Sequence, residues 1–359
     1  MNSDANGKPK VVIVNEKLMD YRIPIYNILA EKYDLTFVYS YPLKAIANDV
    51  KFKLVQISTP KKLGPIFLHS NNILKICNQF DAAIVLGEIR RVMLAALPFS
   101  RRKFKMAFWT IGVSTAHGLD ARKGMDWLRD YIYRHAEGCV FYTEFARERA
   151  IKKGYRPESL FVANNTVEVL PIKDGIKKDS FLFMGTLYKL KGFPVLLEAY
   201  KQANKVNPAL PILNIVGGGV EYDNIKKWIE QEGLQHKVFL IGPVYDKELK
   251  REYFQRAYAC ISPKQAGLSV LEAMGYGVPF VTMHDAITGG ERLNIHDGID
   301  GILMKQESEL CDILVDIARS PSKYEKMGKN AYEYYWTERK PERMAQGLSD
   351  AIEYLLSLK

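Results

Sequence analysis

Short, almost uninterrupted apolar runs recur along the chain and alternate with stretches whose apolar residues return at helical spacing. Runs of this kind fit strands covered on both faces, and their alternation with helices argues for α/β layers around parallel sheets. In the first half the pattern predicts strands at Val11 to Val14, Leu35 to Tyr39, Ala82 to Leu86, Met106 to Trp109, Cys139 to Tyr142 and Leu160 to Val162. A comparable set follows at Phe181 to Met184, Ile212 to Val216, Val238 to Ile241, Ala259 to Ile261, Phe280 to Thr282 and Ile302 to Leu303. The helix after Lys191-Gly192 carries apolar positions at Leu196, Leu197, Tyr200 and Ala203, and a last helix from about Pro341 to Leu356 carries Met344, Leu348, Ile352 and Leu355. The fold expected is α/β: two Rossmann-like domains with parallel sheets and an active cleft at the carboxyl ends of their strands.

A length of 359 residues supports that division, because it is long for one core. Between the two sets of strands, residues 167–178 mix Pro171, Gly175 and several charges, which reads as a linker. The domains expected are therefore 1–166 and 179–335, with 336–359 as a terminal helix.

The order strand, glycine loop, helix repeats in the second half. Phe181-Leu-Phe-Met184 leads into Gly185-Thr186-Leu187, Ile212-Leu-Asn-Ile-Val216 into Gly217-Gly-Gly219, and Val238-Phe-Leu-Ile241 into Gly242-Pro243. Ile261-Ser-Pro-Lys-Gln-Ala-Gly-Leu-Ser-Val-Leu-Glu272 joins a strand end, a glycine-bearing loop and a helix start with a fixed carboxylate. Loop N–H groups and the first helical turn suit phosphates, and Glu272 suits ribose hydroxyls. Ser269 and Glu272 also have the spacing of a capping box, which explains them without any ligand.

Gly185 with Lys191-Gly192, Gly217 to Gly219, Val238 to Gly242, Ser262-Pro263, Gly267 to Met274, Gly277-Val-Pro279 and Glu291 with Asp297 to Gly301 resemble the C-terminal half of family 4 glycosyltransferases of the GT-B fold. The resemblance spans roughly residues 180 to 305. Tyr21-Arg-Ile-Pro24, Phe141-Tyr-Thr143 and Asn164-Asn-Thr166 are more loosely similar to the subgroup that assembles bacterial surface polysaccharides. The resemblance implies an acceptor-binding first domain, a donor-binding second domain, a terminal helix crossing back to the first, and retention of anomeric configuration. It also implies a nucleotide-sugar co-substrate, UDP- or GDP-linked, and a lipid-linked saccharide acceptor in capsule, O-antigen or lipopolysaccharide-type synthesis.

The departing diphosphate needs positive charge, from a metal or from fixed groups. The chain has no Asp-x-Asp triplet, so a metal-independent site without a cofactor is expected, with Lys191, the Thr186 hydroxyl, loop N–H groups and the helix near Ser269 supplying it. Donor-binding residues are Gly185, Thr186, Lys191, Gly218, Pro243, Val244, Lys264, Gly267, Leu268, Ser269 and Glu272, with Pro243 and Val244 toward the base. The family's usual second glutamate is replaced by Lys264 and its usual arginine in the Gly185 loop by Thr186; Lys264 is the residue expected to restore the lost charge. Lys191 has an alternative reading as an exposed helix-start lysine. On the acceptor side the candidates are Arg22, Trp109, Gly112 and His117, with His117 also a candidate base alongside Lys191 and Glu272 as catalytic residues. Arg22 is otherwise a surface salt bridge, and His117 an ordinary loop residue.

A formal charge of +10 calls for an anionic partner or a solvated basic face. No nucleic-acid-binding signature accompanies Lys61-Lys62, Arg90-Arg91, Arg101-Arg102-Lys103 and Lys105, whereas Phe67, Phe99 and Phe104 are interleaved with them. Peripheral contact with an anionic membrane surface is therefore expected, from a cytoplasmic protein at the inner face. The polar start of the chain shows no signal-peptide pattern. Cys77, Cys139, Cys260 and Cys311 lie far apart in apolar surroundings and read as reduced core thiols. Two other functions share this architecture: a sugar-nucleotide epimerase, and a non-catalytic nucleotide-sugar-binding assembly factor.

Overall fold

A computed structural model describes residues 7–43, 49–113 and 126–358. Among these, contacts divide the chain into two compact units, one holding residues up to Thr166 together with those from Pro341 on, the other Val167–Lys340.

In the first unit, strands β1 (Lys10–Val14), β2 (Asp34–Tyr39), β3 (Lys53–Gln56), β4 (Lys61–Leu63), β5 (Ile66–Leu68), β6 (Ala82–Leu86), β7 (Lys105–Thr110), β8 (Gly138–Phe141) and β9 (Leu160–Val162) follow in order. Seven of them form one sheet, β3-β2-β1-β6-β7-β8-β9, parallel throughout. The central strands are apolar in sequence because they are buried on both faces, as at Val11, Val12 and Ile13. Helix Ile23–Lys32 packs Ile25, Tyr26 and Leu29 into the same core as Met344, Leu348, Ile352 and Leu355 of helix Pro341–Ser357. That helix lies close to β9 because Gly347 has no side chain; a Cβ there would collide with the Val162 carbonyl oxygen. The apolar pattern predicts six of the seven sheet strands and misses β3, a largely exposed edge strand, and the antiparallel hairpin β4–β5.

In the second unit, β10 (Ser180–Met184), β11 (Ile212–Val216), β12 (Val238–Gly242), β13 (Ala257–Ile261), β14 (Gln265–Ala266), β15 (Phe280–Met283), β16 (Ile287–Thr288) and β17 (Gly301–Met304) follow. Six form a sheet in the order β12-β11-β10-β13-β15-β17. The chain winds outward from β10 to β12, then returns to the other side of β10 at β13. Such a reversal leaves a crevice outside the carboxyl ends of the two neighbouring strands, the usual ligand position in open α/β sheets. Leu196, Leu197, Tyr200 and Ala203 of helix Phe193–Val206 are buried, as their spacing predicts. Residues 167–178 carry neither helix nor strand and are fastened to this unit: Lys173 N donates to Gln255 Oε1 at 3.0 Å and Arg251 Nη1 to Pro171 O at 3.0 Å. Among the described residues no helix is long and apolar enough to cross a membrane.

Candidate functional site

Beyond their carboxyl ends, β10, β11 and β12 are sewn together by main-chain bonds. Gly185 N donates to Val216 O at 3.0 Å, Leu187 N to Gly218 O at 3.0 Å, and Gly217 N to Gly242 O at 2.8 Å. Two glycines are obligatory for this closeness. Gly217 has φ +155°, and a Cβ on it would run into the Gly185 carbonyl; Gly219, also at +155°, would strike Leu187. The rim that results exposes Thr186 and Pro243, leaves Gly185, Gly218 and Val244 half-buried, and seats the Pro243 ring beside Gly218.

Lys191 ends a short 3-10 turn, Lys189–Lys191, and is 7% exposed, so the reading of an exposed helix-start lysine is corrected. Its ammonium reaches the Gly185 exit, 3.7 Å from where a Cβ on that residue would stand, and lies 5.8 Å from the Tyr188 ring centroid. It makes no hydrogen bond or ion pair with a described residue. Burial pulls its pKa below the ordinary 10.5, against the opposing fields of Cys260 and Glu291. A largely buried cation at a strand switch, with no partner among the described residues, is stabilised when an anion joins it.

Across the switch, the Ser262–Glu272 segment leaves β13. Lys264 N donates to Lys191 O at 3.3 Å, tying the two exits together. Its own ammonium pairs with Glu307 at 2.7 Å on the half-exposed surface and its stem lies against Gly192. Gly267 borders open space, and Leu268 is the residue before helix Ser269–Gly275. The capping box is also corrected. The helix begins at Ser269 itself, one residue too early for that serine to cap it, and no side chain caps it. Ser269 Oγ is buried without a partner. The Glu272 carboxylate instead accepts from Lys250 Nζ through Oε1 at 2.8 Å, and no hydrogen bond from a described residue occupies Oε2. Burial pushes the Cys260 thiol pKa up, Glu272 pushes it further and Lys191 opposes.

Lys250 was not among the residues expected here. It sits on helix Lys247–Gln255, capped by Asp246, and only the fold brings it to Glu272. Glu291 is buried with Thr288: Thr288 Oγ1 and Gly289 N donate to its Oε2 at 3.2 and 3.0 Å. Its presence in the Gly-Gly-Glu stretch was the legible signal.

In the first unit the expected acceptor residues are arranged differently. Arg22 is buried, not a surface ion-pair partner. Its guanidinium lies 4.6 Å from the Trp109 ring centroid and 5.1 Å from that of Tyr142, and Nη2 donates to Asn165 at 3.0 Å. Trp109 is 1% exposed and packs on Tyr26 and Tyr142. Both residues therefore belong to the core, because an arginine among aromatic faces is held more strongly than at the surface. Gly112 turns the chain after β7 with φ +73° against Phe141. His117 lies outside the described residues.

The basic face is thinner than its sequence. Arg91 pairs with Glu16, Arg90 with Glu88 and Arg102 with Glu137, while Phe104 is buried. Arg101 and Lys103 stay exposed. Cys77, Cys139 and Cys260 are buried free thiols and Cys311 is half-buried.

Residues 167–334, within the second unit, match the family model described as Glycosyl transferases group 1. The chain is 30% identical over 175 residues to poly(glycerol-phosphate) alpha-glucosyltransferase of Bacillus subtilis (strain 168), covering 46% of this chain and 25% of that protein. It is 30% identical over 168 residues to the uncharacterized glycosyltransferase MJ1069 of Methanocaldococcus jannaschii, covering 46% of this chain and 42% of the relative. The chain thus spans less than half the length of these curated relatives. Its fold is that of the Anabaena Alr3699/HepE structure in complex with UDP, with a TM-score of 0.75, 16% identity, and coverage of 96% of this chain and 100% of that one.

Proposed function

We propose that the chain is a metal-independent, retaining glycosyltransferase of family 4 that moves a sugar from a nucleotide diphosphate to a saccharide or lipid-linked saccharide in surface-polysaccharide assembly. The observation that carries this reading is the buried Lys191 ammonium, without a bonded partner, beside the glycine rim and across from Glu272 at the strand switch. In this reading the ammonium stabilises negative charge on the departing diphosphate, the rim N–H groups of Thr186, Gly218 and Gly219, which the main-chain bonds across the strand exits do not use, are offered to its oxygens, and Glu272 Oε2 accepts from the ribose. The UDP held by the Anabaena structure and the glucosyltransferase name of the Bacillus relative favour UDP-glucose as the first donor to try. Incubation with UDP-, GDP- and ADP-sugars and a lipid-linked saccharide extract tests the proposal. Sugar transfer supports it, donor isomerised without acceptor points to an epimerase, and binding without turnover points to an assembly factor.

Glu272→Gln separates two roles of that carboxylate. Weakening the partly buried pair with Lys250 costs about 1 to 2 kcal/mol of stability. Losing a charge-assisted bond to ribose weakens nucleotide affinity by about 1 to 2 kcal/mol, roughly five- to thirtyfold. Titration calorimetry and a melting curve on the same sample distinguish them; unchanged affinity removes Glu272 from the site.

We also propose peripheral contact with an anionic membrane, supported by exposed aromatic residues on the first unit, where Phe99 stacks on Tyr131 with ring centroids 5.8 Å apart and Trp127 is 71% exposed. Replacing Arg101 and Lys103 with glutamine weakens binding to anionic liposomes by about 1 kcal/mol per residue at low salt. Arg102→Gln instead lowers the melting temperature, since Arg102 Nη1 and Nη2 hold Glu137 at 2.7 and 3.2 Å. Liposome binding unchanged in the Arg101 and Lys103 double variant contradicts this contact.

A further inference from the structure

At the amino ends of β10 and β13, the opposite end of the sheet from the glycine rim, lies a hollow of about 730 Å³. Its walls are the 172–178 segment, the start of β13 and helix Pro321–Tyr334. Tyr258, Tyr276 and Tyr332 line it together with Lys177, Lys178 and Lys329. Lys178 Nζ donates to Ala257 O at 2.6 Å, which uses one of its three N–H groups. No ion pair with a described residue engages Lys177, Lys178 or Lys329. Glu325 reaches Lys178 only through its field; burial pulls that ammonium's pKa down to about 8 while Glu325 opposes. Asp174, Glu325 and Glu333 add carboxylate acceptors to the same walls.

Three kinds of group thus face one space. The half-buried rings of Tyr258 and Tyr332 offer apolar surface while Tyr276 is buried and stacks on Phe254, carboxylates accept from hydroxyls, and ammoniums with spare N–H groups can hold an anion. A purely apolar ligand would strip water from the ammoniums and carboxylates without replacing its bonds, and a bare inorganic anion would leave the tyrosine rings unused and offer the carboxylates no hydroxyl. We propose that this hollow is a second saccharide site, separate from the donor site, which takes a sugar unit bearing a phosphate or a carboxylate. It uses no residue of the donor site and does not rest on that reading.

The test is labelling of Lys178 by trinitrobenzenesulfonate in the full chain at pH 8, read by peptide mass spectrometry. The probes are glucose 6-phosphate, glucuronate, glucose and inorganic phosphate. At pH 8 a bound anion that raises the lysine pKa by one unit slows its labelling about fivefold, and covering the amine slows it further. Protection by glucose 6-phosphate or glucuronate, with far less from glucose or inorganic phosphate, is the expected result; which acid protects better identifies the phosphate or carboxylate source. The double variant Lys177→Gln and Lys329→Gln changes only exposed positions, and raises the half-protecting concentration of the acidic sugar about tenfold. Lys191→Ala leaves protection intact. The proposal fails if neither acidic sugar protects Lys178, if inorganic phosphate or glucose alone protects as well, if the double variant protects like wild type, or if Lys191→Ala abolishes protection.

Discussion

Lys191→Ala lowers sugar transfer by about 10² to 10³ in kcat while the melting temperature stays level or rises. The two halves of this result have one cause. In the unliganded protein Lys191 is 7% exposed and its ammonium has no hydrogen-bonding partner among the described residues, so removing it relieves a partly desolvated charge and loses no bond to them. In the proposed reaction the same charge would face a diphosphate that becomes more negative as the sugar departs, so its loss would be felt most in the transition state. Affinity for nucleoside diphosphate should also depend on pH. Burial holds the folded pKa of Lys191 below 10.5, so the attraction is fully present below that lowered value and fades as pH rises through it. The alanine variant loses this alkaline titration. A fall in melting temperature with kcat unchanged would make Lys191 a structural residue.

Gly217→Ala costs about 2 to 4 kcal/mol and removes nucleotide binding at temperatures where the protein is still folded. At φ +155° the added methyl would meet the Gly185 carbonyl, so the β10 exit must move and the rim opens. For a unit of this size the loss corresponds to a drop of roughly 5 to 15 °C in melting temperature. Gly267→Ala is the internal control, since its methyl enters open space at an ordinary backbone angle. It leaves stability within about 0.5 kcal/mol. Equal melting temperatures for the Gly217 and Gly267 variants would show that the rim tolerates a side chain at Gly217.

Sequence made the sheets legible because parallel strands buried on both faces are written as continuous apolar runs. The edge strand Lys53–Gln56 and the hairpin Lys61–Leu63 with Ile66–Leu68 lack that signal, being exposed or half-buried. The glycine rim was legible for a similar reason: close backbone approach admits one residue type, and Gly217 and Gly219 announce it. Charged side chains were legible only as positions. Arg22 follows a strand, but whether it meets an acceptor or Trp109 and Tyr142 depends on residues more than eighty positions away. Ser269 and Glu272 have capping-box spacing, but the helix starts one residue too early, and Lys250 captures the carboxylate from another helix. Lys264 stands in the right segment yet turns to Glu307, an ion-pair partner that local sequence does not reveal.

Hydrogen exchange of the full chain with and without UDP tests the central claim most directly. UDP slows exchange at 185–192, 217–219, 242–244 and 262–272, the four segments that meet around Lys191 and Glu272, and Lys191→Ala reduces that slowing. No change in these segments, or slowing confined to the first unit, contradicts a nucleotide site at the β10–β13 switch.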